Sequence, residues 1–145
     1  CLRYFNVYGP RQRYNPYSGV ITIFANRLRK NRSPIIYGDG KQTRDFVNVH
    51  DVVQASMLAM CSKKAVGEIF NIGTGTRTTI NQLADMMIRA SRKRNLQPTH
   101  AAPRPGDIRN SCADIGKAHR ILGYSPTVTL RDYVDELLAD LGGGT

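Results

Sequence analysis

An α/β fold is predicted for this chain by three features of its sequence. Short apolar or aromatic runs of strand length alternate with longer stretches whose apolar residues recur at helical spacing. Clusters of Gly, Pro, Asn and Asp punctuate that alternation. The 145 residues are 41% hydrophobic, enough to enclose one core. Yet no run approaches the ~20 apolar residues of a helical membrane span, and no N-terminal signal peptide is visible.

Each element has a local reason. Leu2–Tyr8 is a short apolar-aromatic strand that stops at Gly9-Pro10. Residues 9–18 form a polar loop, and Ser18 can cap a helix running to about Asn31, with Val20, Ile23, Phe24 and Leu28 on one face. Ser33-Pro34 breaks that helix, Ile35–Gly38 is a strand, and Gly38-Asp39-Gly40-Lys41 is a turn. Thr43–Val49 alternates as a strand. The next helix spans about Asp51–Ser62, with Val52, Val53, Met57, Met60 and Cys61 inward. Glu68–Ile72 is again a strand.

Thr79-Ile80-Asn81-Gln82 fits a capping box, in which the Thr hydroxyl and the Gln side chain satisfy each other's orphan amides. The helix that follows carries Ile80, Leu83, Ala84, Met87 and Ile88 on one stripe, and Pro98 bounds it. Residues 103–113 are irregular. Asp114 can cap a short helix to Leu122, ended by Gly123. Thr129 can cap a last helix with Leu130, Val134, Leu137, Leu138 and Leu141 inward. Gly142-Gly143-Gly144 reads as a flexible tail. The strands are few and short, no complete nucleotide-binding βαβ unit is visible, and the chain starts at Cys1, already inside a strand. The expectation is a piece of a longer protein.

The 21 basic and 11 acidic residues give a formal net charge of +10. Residues 1–38 and 86–106 contain bases and no acid, and most of the bases are Arg. That balance points to anionic partners without separating a nucleic acid from a phosphorylated small molecule. Cys1, Cys61 and Cys112 are far apart, and with His50, His100 and His119 they form no zinc-ligand spacing. They read as reduced thiols of an intracellular protein, and no metal site is expected.

Two motifs mislead. Gly73-Thr74-Gly75 lies between a strand and a helix like a dinucleotide fingerprint, but Thr78 stands where the third glycine belongs, so a tight turn is the better reading. Tyr37 and Lys41 have the Y-x-x-x-K spacing of short-chain dehydrogenase catalysis. That chemistry needs a helix, and two glycines intervene.

The informative pattern is the repeated placing of Arg, Asn or Asp beside glycine-rich turns. It occurs at Asn6-Val7-Tyr8-Gly9-Pro10-Arg11-Gln12, at Tyr37 to Phe46, and at Arg104-Pro105-Gly106-Asp107-Ile108-Arg109. Converging guanidinium groups and backbone amides suit a diphosphate, and a nearby acid can accept from ribose hydroxyls.

In that order, and with Phe70-Asn71-Ile72-Gly73, Ala113-Asp114-Ile115-Gly116-Lys117-Ala118 and Leu122-Gly123-Tyr124-Ser125-Pro126 following, these segments resemble the NAD-dependent nucleotide-sugar epimerase/dehydratase family, the extended short-chain dehydrogenases. The branch they resemble most is that of UDP-hexose 4-epimerases, including those acting on N-acetylated sugars. The resemblance covers nearly the whole chain and implies its C-terminal, substrate-binding part, with strands 2–8 and 68–72 belonging to the parent Rossmann sheet.

What the resemblance implies falls on particular residues. Asn6 would bond the substrate's diphosphate or sugar, and Gln12 would face the hexose. Gly19 and Val20 would open a helix whose first amides meet phosphate or sugar oxygens. Ile35 and Tyr37 would border the uracil, Arg44 and Arg104 would clamp the diphosphate, and Asp107 would hold ribose hydroxyls. Ser111 would leave room for an N-acetylhexosamine. Asp45 and Phe46 are expected to keep the fold, and Asn71 fits a satisfied turn as well as a ligand contact.

The catalytic Tyr and Lys and the NAD fingerprint of that family are not in these residues, so no catalytic residue is assigned and the chain alone is expected to be inactive. The implied parent is a cytoplasmic enzyme, usually a homodimer, that binds NAD mainly outside this chain. A nucleotide-sugar dehydratase or decarboxylase is the alternative within the family. A basic nucleic-acid-binding module, suggested by charge alone, is the alternative outside it.

Overall fold

A computed structural model describes residues 1–12, 14, 15, 19–93 and 95–140 of the chain. Its elements alternate as α/β: β1 (Leu2–Tyr4), β2 (Asn6–Tyr8), α1 (Val20–Arg29), β3 (Ile35–Tyr37), β4 (Thr43–Arg44), β5 (Phe46–Asn48), α2 (Val49–Cys61), β6 (Phe70–Ile72), β7 (Thr78–Thr79), α3 (Ile80–Ala90), β8 (Thr99–Ala101), α4 (Gly116–Leu122) and α5 (Leu130–Asp140). The predicted fold class is the one found.

The segment expected to be one strand, Leu2–Tyr8, is divided at Phe5 between two neighbours. Leu2–Tyr4 pairs in parallel with Phe70–Ile72, and Asn6–Tyr8 pairs in parallel with Phe46–Asn48. The strand expected over Thr43–Val49 is likewise interrupted, at Asp45. Its first part, β4, pairs antiparallel with β7, and only its second part, β5, joins the parallel ladder with β2. Strand β5 is buried throughout and feeds two clusters: Phe46 joins Tyr8, Phe24, Leu28, Ile36, Leu83, Met87, Val134 and Leu137, while Val47 joins Phe70, Ile72, Ala118 and Tyr124. Alternation along one strand thereby links both cores.

Helix α3 buries the five residues its periodicity marks, and the capping box is formed: Gln82 N donates to Thr79 Oγ1 and Thr79 N to Gln82 Oε1. Thr129 accepts from Asp132 N at the start of α5, and Leu130, Val134 and Leu137 are buried. Gly123 ends α4 in the left-handed conformation. The expectations for Ser18, Leu141 and Gly142 to Gly144 lie outside the described residues.

Gly19 is the N-cap of α1. Three expectations about elements are corrected. The N-cap of α4 is Ile115, with Asp114 accepting from Gly116 N one turn position away. Helix α2 starts at Val49, because Asn48 Oδ1 accepts from His50 N. Its inward face is only partly the one predicted: Val52 is buried as expected, together with Ala55, whereas Val53, Met57 and Met60 are 56%, 53% and 79% exposed, and Cys61 is exposed. The polar Asp51 is buried instead, accepting from Thr127 N, Thr127 Oγ1 and Val128 N at 2.9, 3.0 and 3.3 Å. A carboxylate so bound fixes the rotation of α2 more firmly than its apolar stripe does. Among the described residues no helix is long and apolar enough to cross a membrane.

Candidate functional site

Strand β3 alternates: Ile36 is buried in the core, which leaves Ile35 and Tyr37 half-buried on its other face. Beyond it, Gly38 and Gly40 take positive φ and fold the chain back into β4. The Y-x-x-x-K spacing is thus split between a strand and a turn, as two glycines require.

Strand β8, which the sequence did not reveal because Thr99, His100 and Ala101 carry no apolar signal, pairs in parallel with β3. That pairing lays residues 103–110 beside residues 37–44. Thr43 N donates to the Arg109 carbonyl at 2.9 Å and Ser111 N to the Thr43 carbonyl at 3.2 Å. Arg109 holds both oxygens of Asp39, at 2.7 and 3.0 Å, and keeps that carboxyl at about 2, well below its ordinary range.

Four of the residues singled out by sequence converge here. The Arg104 guanidinium stacks 3.9 Å from the centroid of the Tyr37 ring. Arg44 Nη1 donates to the carbonyls of Thr43 (2.7 Å) and Ile108 (2.6 Å), and Nη2 donates to Asp107 Oδ1 at 2.5 Å. The Arg44 and Asp107 side chains are 16% and 33% exposed. Gln42, which the sequence did not mark, donates from Nε2 to the Tyr37 carbonyl at 2.8 Å and to Asp107 Oδ2 at 3.3 Å. A guanidinium has five N–H donors. The Nε–H and one Nη2–H of Arg44 take no part in these bonds.

Asn6 adjoins the same group through the backbone, since its N and its Nδ2 both donate to the Asp45 carbonyl at 3.0 Å. Asp45 itself is fully buried and accepts from Thr74 N, Thr74 Oγ1, Gly75 N and Ala113 N. The amides of the fingerprint-like turn are therefore occupied by an internal carboxylate, and this turn does not fit the pyrophosphate of NAD. A Cβ at Gly73 would lie 2.7 Å from Asp45 Oδ2 and 2.6 Å from Ala113 Cβ, so only glycine permits the approach. Asn71 Nδ2 donates to the Asp114 carbonyl, which satisfies it within the fold.

No bond among the described residues joins Gln12, Gly19 or Val20 to this cluster. Gln12 is half-buried with its Oε1 unpartnered, Gly19 is exposed at the start of α1, and Val20 packs against the core. A separate cleft of about 550 Å³ lies over α3 and α5, lined by Arg77, Arg89 and Arg131 around Met86 and Val134. None of the site residues expected from sequence lines it. No group of His, Cys, Asp or Glu among the described residues could hold a metal ion.

Parallel strands, with an arginine–carboxylate cluster on the loops that follow β3 and β8, define an α/β unit. Residues 1–137 match the family described as GDP-mannose 4,6 dehydratase. Among solved structures, the UDP-glucose 4-epimerase of Thermotoga maritima with UDP-glucose is 41% identical at a TM-score of 0.88, covering 97% of this chain and 45% of that one. The UDP-glucuronic acid 4-epimerase of Bacillus cereus, in complex with UDP-glucuronic acid and NAD, is 34% identical at a TM-score of 0.85, covering 97% and 44%. The UDP-glucose 4-epimerase of Mycolicibacterium smegmatis is 39% identical over 88% of this chain and 40% of its own. Proteins named dTDP-L-rhamnose 4-epimerase, dTDP-glucose 4,6-dehydratase and UDP-N-acetyl-alpha-D-glucosaminuronate decarboxylase also match. The chain belongs to this family of NAD-dependent nucleotide-sugar epimerases, dehydratases and decarboxylases. It spans less than half the length of the relatives it matches.

Proposed function

We propose that this chain is the C-terminal, substrate-binding portion of a UDP-hexose 4-epimerase. The observation that carries the reading is the cluster of Tyr37, Arg44, Arg104 and Asp107, in a chain 41% identical to a structure that holds UDP-glucose. Tyr37 and Ile35 border the base, and Asp107 accepts from the ribose. Arg44 and Arg104 meet the diphosphate. Asn6, Gln12, Gly19 and Val20 lie toward the phosphate and hexose, with Ser111 leaving space for an N-acetyl group. The parent enzyme inverts C4 through a 4-keto sugar, using NAD bound mainly by residues outside this chain, and is a cytoplasmic homodimer. The strands Leu2–Tyr8 and 68–72 belong to its nucleotide-binding sheet.

Calorimetric titration of the chain with UDP-glucose tests the binding reading: saturable heat is expected, and its absence at millimolar ligand would sink it. Turnover of a UDP-sugar by the isolated chain would contradict its assignment as a binding portion only. A dehydratase or decarboxylase is the second reading, supported by the relatives so named. Product analysis of the parent enzyme supplied with UDP-glucose, UDP-N-acetylglucosamine and UDP-glucuronate separates the three reactions.

A further inference from the structure

Gln42 has no role in the site as read from sequence, yet it sits at the junction of the cluster. It is only 7% exposed. Its Nε2 bridges the Tyr37 carbonyl and Asp107 Oδ2, and its Oε1 is buried without a partner among the described residues. The amide orientation follows from chemistry, because both neighbours are acceptors and only nitrogen can face them. The nitrogen is thus the atom through which Gln42 bonds to its surroundings.

That nitrogen acts on Asp107. Arg44 takes Oδ1 and Gln42 takes Oδ2, so both carboxylate oxygens are held, the first by a charge and the second by a neutral donor anchored to β3. A carboxylate has about four lone-pair sites. Two stay open, and their direction is set by the two residues that fill the others. A carboxylate fixed in this way suits a vicinal diol, whose two hydroxyls both donate. The relatives include proteins named for UDP sugars, whose nucleoside carries a ribose, and for dTDP sugars, whose nucleoside lacks the 2′-hydroxyl.

We propose that Gln42 is a positioning residue that, together with Arg44, orients the Asp107 carboxylate to read the ribose diol, so that discrimination between ribo- and 2′-deoxyribonucleoside diphosphates depends on it. The proposal rests on the nucleotide reading above and goes beyond it in making Gln42, which need not touch the ligand, a determinant of sugar specificity in the nucleoside.

The test is calorimetric titration of the parent enzyme containing this chain with UDP and with 2′-deoxy-UDP, for the native sequence, Gln42→Met and Gln42→Glu. The native chain is expected to prefer UDP by about ten-fold or more, the range of hydrogen bonds to a charged acceptor. In Gln42→Met the preference should fall to about two-fold through weaker UDP binding, with 2′-deoxy-UDP affinity nearly unchanged. Gln42→Glu keeps the shape, turns an acceptor toward Asp107, and should lose the preference as well, which gives a reading even if the Met variant does not fold. An unaltered preference in a folded variant, or an equal loss for both ligands, overturns the role of Gln42 and leaves the nucleotide reading standing. A native chain that binds neither ligand overturns both.

Discussion

The carboxylate of Asp45 accepts the backbone N–H of Gly75 at 2.9 Å, across 30 residues of sequence. With the Thr74 amide, the Thr74 hydroxyl and the Ala113 amide completing its shell, Asp45 occupies the turn as an anionic ligand would. Asp45→Ala leaves these donors buried and unpaired and should cost about 3 kcal/mol. Urea unfolding measures it, and a loss below about 1 kcal/mol would contradict the assigned role.

Arg44 joins two carbonyls and one carboxylate at once, which a lysine ammonium cannot do in the same plane. Arg44→Lys and Arg44→Ala should both weaken UDP binding, the Ala variant by about 30- to 5,000-fold. Equal affinity of Arg44→Lys and the native chain in a titration would show that the fork geometry is unimportant.

Asp39 responds to acid. Its ordinary value is 3.8, and the hydrogen bonds from Arg109 lower it to about 2. A depressed carboxyl stabilises the folded state above the unfolded value, and that contribution disappears as pH falls from about 3.8 through about 2. Arg109→Ala should move the Asp39 midpoint back toward 3.8, as read by carboxyl carbon NMR. A midpoint that stays near 2 would assign the shift to the Lys41 amide instead.

Gly40 combines a φ of +70° with a close neighbour: a Cβ there would lie 1.9 Å from Asn81 Oδ1. Gly40→Ala should therefore destabilise by more than the ~1 kcal/mol of left-handed strain alone. Adding Asn81→Ala should recover part of the loss. Thermal unfolding of the single and double variants compares them, and identical melting of the two would remove Asn81 from the account.

Val53, Met57 and Met60 are exposed on α2. Met57→Lys and Met60→Lys should leave the unfolding free energy within about 0.5 kcal/mol of native, whereas Val52→Lys should not be tolerated. Denaturant midpoints decide this.

Helix α3 was readable in full because its signals agree: a capping box, a five-residue stripe and a bounding proline. Helix α2 was misread because it is apolar nearly all round, and a buried acid, Asp51, turns it in a way hydropathy cannot register. Strand β8 was invisible because it is held by backbone pairing and by polar contacts of Thr99 and His100 with the Pro34 and Gly38 carbonyls, with every side chain exposed. The same difference runs through the site. Tyr37, Arg44, Arg104 and Asp107 stand in recognisable motifs, and the structure brings them together. Gln42 acts through a backbone carbonyl and a carboxylate 65 residues away, a relationship that only the fold creates.

The division of Leu2–Tyr8 between two ladders bears on the order in which the chain can fold. Asn6 bonds to a residue 39 positions later, and Cys1 to one 67 positions later. Closing loops of that length costs entropy before any contact returns it. Helices α1 and α3 can form from local contacts, but the first strand must wait, extended and unpaired, until β5 and then β6 exist to receive its two halves. Strands β1 and β2 should therefore show late hydrogen-exchange protection during refolding.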